Sequence, residues 1–424
     1  MKKIFFILSI SLLVACTNNE PVNNNSSQPE KNFTPVAKMV KSSKRGVAFS
    51  FSKIDDILLL GPSISWCYNW GVSPWEEAPE YFDALGVEYL PMCWTRSYDK
   101  NKIMEYVAAH PSTQYLLGFN EPNLTDQANM TPSVAAQYWP EVVQLAKDLN
   151  LKLVSPAMNY GTLSGYHDPV KWMDEFLAQP NVSLDDIDVI ALHCYMTSPE
   201  AVINFVEMFE KYGKPIWMTE FCAWWDDSGQ GSVLQQITYM CSILNYFEQS
   251  DLVERYAWFI PRYKSEGSFP YMQLLTDNKP YNLTDAGKVY CNFSSFDKTA
   301  YLDMERGFDA AQYVNLSDYK IQVRPTTDGE DGLMVQALDK DQWLEYQIGL
   351  TEPAEQITIR YASLSKANVL ISVDGNLIDM YELPKTGALD TWHSATFPIE
   401  LTKGGHTLRI QCFDNALNLS KISL

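Results

Sequence analysis

The sequence predicts a (β/α)8 TIM-type barrel followed by an all-β antiparallel sandwich of jelly-roll form. Three observations predict it. Apolar strand-like runs alternate with helix-like stretches between residues 44 and 296, and eight such runs can be counted. Beyond residue 296 the helical period disappears, and short alternating strands with Gly, Asn and Asp turns replace it. At 424 residues the chain is also longer than one hydrophobic core of ordinary size would use, so two domains are expected.

Residues 1–15 read as a processing signal, not as part of the fold. Lys2 and Lys3 give a positive start, and Ile4 to Val14 is an apolar run too short for a permanent span. Leu13-Val14-Ala15-Cys16 resembles the bacterial lipoprotein cleavage box. The resemblance implies that Cys16 becomes the lipid-modified first residue of an exported, membrane-anchored chain. Residues 16–43 are rich in Asn, Ser, Pro and Lys, a composition that cannot bury a core and suits a flexible tether.

The barrel is read over 44–296, with strands at 46–51, 63–69, 87–94, 115–121, 151–158, 187–195, 215–221 and 255–261. Helices are read at 102–109, 133–149, 170–178, 201–212 and 233–248, with Ser133 and Ser198 as start signals. Continuous apolar strands between helices indicate a parallel sheet covered on both faces, and eight of them suit closure. In the sandwich, 297–424, the runs QWLEYQIGL, QITIRYASL, NVLISVDGNLI and HTLRIQCFDN read as strands, with Asp374-Gly375 as a hairpin turn.

Asp and Glu outnumber Lys and Arg by 52 to 32, and a net charge of −20 opposes nucleic acid or any anionic polymer as partner. A neutral polysaccharide remains compatible, and 12 Trp leave rings for sugar stacking beyond the needs of the core. Removing Cys16 leaves seven cysteines, so at least one thiol cannot pair internally. None has metal-ligand spacing, so neither a structural zinc nor thiol catalysis is expected.

Two runs carry the chemistry: Gly118-Phe119-Asn120-Glu121-Pro122 and Trp217-Met218-Thr219-Glu220-Phe221. They end the fourth and seventh predicted strands, and barrel enzymes build their sites at strand C-terminal ends, so Glu121 and Glu220 should face one cleft. Two convergent carboxylates are the minimum equipment for cleaving a glycosidic bond. Pro122 biases Glu121 towards extended backbone, and Asn120 is placed to bond a sugar hydroxyl. Glu220 sits among apolar neighbours, where an unpaired carboxylate is expensive. A salt bridge to Arg96 or Arg262 is its structural alternative.

Trp66, Trp70 and Trp94 end the second and third strands, Trp224 and Trp225 follow Glu220, and Trp258 lies on the eighth strand. All are candidate sugar platforms, in competition with core roles, and Trp258 is read as the floor of the subsite at the cleavage point. Tyr195, ending the sixth strand, is a candidate hydrogen-bond partner of Glu220. His193 beside it either contacts a hydroxyl or is a satisfied interior histidine.

Residues 44–295 resemble glycoside hydrolase family 128, within the clan of barrel glycosidases that carry the acid/base on strand four and the nucleophile on strand seven. The matching pieces are Lys44-Arg45-Gly46, Ser65-Trp66-Cys67-Tyr68-Asn69-Trp70, Tyr89-Leu90-Pro91-Met92-Cys93-Trp94, Asn120-Glu121-Pro122 and Thr219-Glu220-Phe221. The resemblance implies endo cleavage of a neutral β-1,3-glucan with retention of configuration, without a cofactor, Glu121 acting as acid/base and Glu220 as nucleophile. Retention asks for carboxyls about 5 to 5.5 Å apart, one protonated and the other ionised. The chain is read as a monomer. Two readings stay open beside this one: a surface glycan-binding lipoprotein with an idle barrel, and hydrolysis or transglycosylation of another β-linked glucan.

The C-terminal part resembles a family 6 carbohydrate-binding module. The matching pieces are Gln342-Trp343-Leu344-Glu345-Tyr346, Ile359-Arg360-Tyr361-Ala362-Ser363, Thr386-Gly387-Ala388-Leu389-Asp390-Thr391-Trp392, Gly405-His406-Thr407-Leu408 and Asn418-Leu419. Trp392 and Asn418 are the module's candidate glycan contacts. Three positions depart from the pattern: Ala337 replaces a sugar-gripping Tyr, Leu389 stands in place of a Trp, and Ser420 replaces an Asp of the structural calcium site.

Overall fold

The computed structural model describes residues 34–225, 231–263, 270–329 and 332–424. Cys16, the processing signal and most of the tether lie outside the described residues.

Eight parallel strands form the first part: β1 (Arg45–Ala48), β2 (Trp66–Tyr68), β3 (Glu88–Tyr89), β4 (Tyr115–Leu117), β5 (Lys152–Val154), β6 (Ile190–Cys194), β7 (Ile216–Phe221) and β8 (Val253–Trp258). Six of them pair in the order β3-β2-β1-β8-β7-β6, and β4 pairs β5. Parallel bridges Met92–Leu117, Val154–Val189 and Met158–Leu192 join the two groups and close the barrel. The ladders stop several residues short of most predicted strand ends because the chain there turns into the cleft.

Among the described residues eight helices surround the barrel: α1 (Ile54–Leu60), α2 (Ala78–Leu85), α3 (Lys100–Ala109), α4 (Pro132–Asp148), α5 (Pro169–Leu177), α6 (Pro199–Glu207), α7 (Val233–Gln249) and α8 (Asp285–Asn292). Ser198 caps α6, accepting from Ala201 N. At α4 the cap is Thr131, accepting from Val134 N, and not Ser133 as the sequence suggested. Pro132 explains the shift: its fixed φ suits the first helical position, which puts the cap one residue before it.

Strand alternation divides the side chains into two layers. Trp66, Tyr68, Tyr115, Leu117, Trp217 and Ala257 fill the barrel interior, while Cys67, Leu116, Met218 and Trp258 point into the helix layer. Arg255 plugs the lower end, its guanidinium 4.5 Å from the Trp217 ring and 4.7 Å from Tyr115, and it is paired with Glu88 at 2.8 Å. Above it Trp66, Tyr68 and Trp70 climb β2 at every second residue, with centroid spacings of 6.2 and 5.6 Å.

The sandwich consists of two antiparallel sheets. One is built from Gln322–Pro325, Leu333–Leu338, Leu417–Ser423, Ala354–Ala362 and His393–Leu401; the other contains Trp343–Leu350, Gly404–Cys412, Ala367–Val373 and Asn376–Leu383. Asp374 and Gly375 take φ of 51° and 80° and form the expected hairpin turn.

Barrel and sandwich belong to one compact unit, joined through α7. Asn245 donates to the carbonyls of Tyr319 and Ile321, both at 2.9 Å, and accepts from Tyr313 Oη at 2.8 Å. Arg324 donates to Thr238 Oγ1 at 2.7 Å. These buried hydrogen bonds tie the sandwich to α7, although Arg324 Nε is left without a partner among the described residues. The seven described cysteines are all free and buried.

Candidate active site

The site grows from a fault in the β7 ladder. Trp217 points inward and Met218 outward, as alternation requires. The register then shifts against both neighbours, between Leu192 and His193 of β6 and between Met218 and Phe221 opposite β8. Such a bulge re-aims side chains. Glu220 is delivered to the barrel mouth opposite His193, and Phe221 returns to the helix layer, packed on Phe247 and Trp258.

Three donors converge on Glu220. Tyr68 Oη and Trp70 Nε1 donate to Oε1 at 2.8 and 2.6 Å, and Tyr195 Oη donates to Oε2. An indole N–H can only donate, so Oε1 serves as an acceptor. Burial, followed by the charge of Glu220, pushes the Tyr68 and Tyr195 hydroxyls well above their usual pKa and keeps them protonated.

Glu121 faces Glu220 across the mouth. β4 ends at Leu117, four residues earlier, and a Cβ at Gly118 would meet Val154 O at 2.8 Å, so only glycine lets the chain pass β5 here. Glu121 itself has φ +43°. The extended backbone expected from Pro122 is therefore overridden. Left-handed backbone at a non-glycine residue costs of order 1–3 kcal/mol, and tertiary hydrogen bonds hold it: Asn159 Nδ2 reaches Glu121 Oε1 at 2.9 Å and His193 Nδ1 reaches it at 3.0 Å.

His193 bridges the two acids, its Nδ1 also lying 3.5 Å from Glu220 Oε2. One ligand-type atom from each of Glu121, His193 and Glu220 lies within 4.8 Å of the others. Burial opposes the imidazolium, but the charges of Glu220 and Glu121 outweigh it and raise the ring's pKa. Burial likewise raises the Glu121 carboxyl, yet His193 and Asn159 together hold it below its usual range. His193 therefore stands between the two acids, hydrogen-bonded to Glu121 and within 3.5 Å of Glu220.

A cavity of about 410 Å³ opens over the pair. Trp70, Trp94, Trp224 and Phe259 form its aromatic wall, while Asn120, Gln127 and Asn159 form a polar one. Asn120 Nδ2 donates to Gln127 at 3.1 Å, and its buried Oδ1 has no partner, leaving an acceptor for a ligand hydroxyl.

Several sequence candidates lie elsewhere. Trp66 is buried in the barrel interior and donates to Lys44 O at 2.9 Å, two positions below Trp70 on the same face, so it meets no cleft. Trp258 points into the helix layer and donates to Met272 O at 2.9 Å. The next residue, Phe259, has the inward phase and lines the cavity in its place. Trp225 packs on Tyr271, 5.5 Å between centroids, outside the cavity wall. Arg262 pairs with Asp56 at 2.6 Å and Arg96 lies over the Tyr138 ring, so the salt-bridge alternative for Glu220 falls.

A model of the glycosyl hydrolase catalytic core matches residues 46–290, more than half of the chain, and a carbohydrate binding module (family 6) model matches residues 309–424. The chain belongs to the glycosyl hydrolase catalytic core family. Among solved structures it is similar to a GH128 (subgroup II) endo-β-1,3-glucanase from Pseudomonas viridiflava, at 37% identity and TM-score 0.54 over 59% of this chain and 98% of that one. A second such enzyme, from Sorangium cellulosum, shows 33% identity and TM-score 0.52 over 58% and 97%. Alkali-sensitive linkage protein 1 of Schizosaccharomyces pombe is 29% identical over 234 residues, 52% of this chain but only 39% of that protein's length. The chain is a GH128-type glycoside hydrolase with a C-terminal family 6 module.

In this hydrolase the residues missed by sequence reading are Tyr68, Gln127, Asn159 and Phe259. Tyr68 was legible as the inward position between Trp66 and Trp70, and Asn159 as the first residue past the predicted fifth strand. In the module, Asn418 spends its amide internally, donating to Leu389 O and accepting from Ala337 N, both at 2.8 Å. Trp392 is half-buried and donates to Thr327 Oγ1 at 3.0 Å. Asn418, itself buried, thus ties a loop to a strand.

Proposed function

We propose that this hydrolase is an endo-acting β-1,3-glucanase that retains configuration, with Glu220 as nucleophile and Glu121 as acid/base. The observation that carries the reading is the pair of buried carboxylates with oxygens less than 5 Å apart under an aromatic-walled cavity. Facing carboxylates this close suit direct attack by one of them, as in a retaining enzyme. The two subgroup II relatives support β-1,3-glucan as the substrate class.

In the first step a Glu220 oxygen forms a bond to the anomeric carbon while the bond to the leaving oxygen breaks. The leaving oxygen keeps the electron pair and receives a proton from Glu121. In the second step Glu121 takes a proton from water, the water oxygen bonds to the anomeric carbon, and the ester to Glu220 breaks. Glu121 and His193 need only one extra proton between them. They meet through the Glu121 Oε1–His193 Nδ1 contact of 3.0 Å, and His193 Nε2 is buried without a partner among the described residues.

Export and lipid attachment at Cys16 belong to the same proposal and rest on the N-terminal sequence alone. The test is product release from a panel of defined β-glucans by the wild type and Glu220→Gln. Oligosaccharides from β-1,3-glucan, abolished by the substitution, are expected; retained activity in the variant overturns the assignment.

A further inference from the structure

Glu121 is held asymmetrically. Both described protein donors to its carboxylate, Asn159 Nδ2 and His193 Nδ1, end on Oε1. A carboxylate oxygen has two lone-pair sites, so Oε1 is filled and a proton is best carried on Oε2. His193 alone does not specify this, because its Nδ1 lies 3.0 Å from Glu121 and 3.5 Å from Glu220. Asn159 touches only Glu121 of the two acids.

The loops after β4 and β5 are cross-tied so that Asn159 cannot drift. Its Oδ1 accepts from Tyr160 N at 2.8 Å, and its carbonyl accepts from Asn123 Nδ2 at 2.6 Å. The carbonyl of Asn123, a wholly buried residue, accepts in turn from Thr162 N at 3.1 Å and Leu163 N at 2.9 Å. Thr125 N donates to Thr162 Oγ1 at 2.9 Å. A Cβ at Gly161 would lie 2.2 Å from Tyr166 O and 2.6 Å from Asn123 O, so the two loops meet with no slack.

We propose that Asn159 is a positioning residue of the reaction, whose amide N–H occupies Oε1 of Glu121 and directs the transferable proton to Oε2. The proposal rests on the acid/base reading of Glu121. Proton transfer itself is the one written above: from Oε2 to the glycosidic oxygen as the carbon–oxygen bond breaks, with the carboxylate regenerated when water gives up its proton. His193, Glu220, Tyr68 and Tyr195 are the other titratable groups facing this carboxylate, and the variants below leave them in place.

Asn159→Asp keeps the side chain's shape and the acceptor for Tyr160 N, and removes the donor. The introduced carboxylate competes for the proton on the Oε1 side. Expected is a fall of about 10- to 100-fold in kcat/KM on laminarin. On 2,4-dinitrophenyl β-laminaribioside, whose leaving group needs no proton, the fall should be under about threefold. The alkaline limb on laminarin should also move to higher pH. Asn159→Ala, with folding checked by thermal melting, should show the same split between substrates. Equal losses on both substrates in both variants, or no loss on either, overturn the proposal. Laminarin activity retained by Glu121→Gln would instead overturn the acid/base reading, whatever the Asn159 variants do.

Discussion

Replacing Glu121 by alanine should separate the two halves of the reaction. A positioned general acid contributes about 10²- to 10⁴-fold, or about 2.7–5.4 kcal/mol of transition-state stabilisation. No other described acid stands in its place: Glu220 is wrapped by Tyr68, Trp70 and Tyr195 on the opposite side of the mouth. Laminarin, which needs the proton, should lose that whole factor. A 2,4-dinitrophenyl β-laminaribioside should still transfer its sugar to Glu220, because its leaving group departs unaided. Deglycosylation then lacks a base, so the glycosyl-enzyme accumulates and dinitrophenolate appears in a burst. The substitution frees the carboxylate's volume at the edge of a cavity of about 410 Å³, enough for azide. Azide needs no deprotonation, and arriving from the former Glu121 side it should restore turnover and yield the β-glycosyl azide. An α-glycosyl azide, or neither burst nor rescue, refutes the reasoning, since each places the base somewhere other than Glu121.

Trp70→Phe removes one of the two donors to Glu220 Oε1 and should lower kcat/KM on the dinitrophenyl substrate by about 5- to 100-fold, a lost hydrogen bond to a charged group; steady-state kinetics check it, and an unchanged value removes the indole from the site. The Glu121–His193 pair also shapes stability against pH. Glu121, depressed in the fold, stabilises above its unfolded pKa of about 4.3 and loses this as pH falls through the lower folded value. His193, raised in the fold, stabilises below about 6.5 and loses this as pH rises through its higher folded value. Melting temperatures should therefore exceed those of His193→Asn most between about pH 4.5 and 6.5, and a difference that grows in alkali contradicts the pairing. Asn245→Leu strands the Tyr319 and Ile321 carbonyls and the Tyr313 hydroxyl, and should cost about 2–5 kcal/mol in denaturant unfolding.

The parts of this molecule that follow a simple period were readable in its sequence. Barrel and sandwich differ in hydrophobic repeat, and Glu121 and Glu220 come after strand four and at the end of strand seven in the expected count. What escaped were phases and tertiary ties. One step of alternation separates Trp258, which packs under the helices, from Phe259, which lines the cavity. The same alternation puts Trp66 two levels below Trp70, although both lie in one aromatic run. Glu121 defies the preference imposed by Pro122 because Asn159, from the loop after β5, and His193, from β6, grip its carboxylate. Nothing local announces such partners. Nor does composition reveal that Asn245, in the middle of a helix, is the buried joint between the barrel and the sandwich.

The anomer first released from a laminarin oligosaccharide, followed by proton NMR within the first minutes of hydrolysis, tests the geometry of the two carboxylates most directly. Attack by Glu220 itself predicts the β anomer first, with the α form growing in only by mutarotation. The α anomer appearing first would mean that water, not Glu220, attacks the sugar.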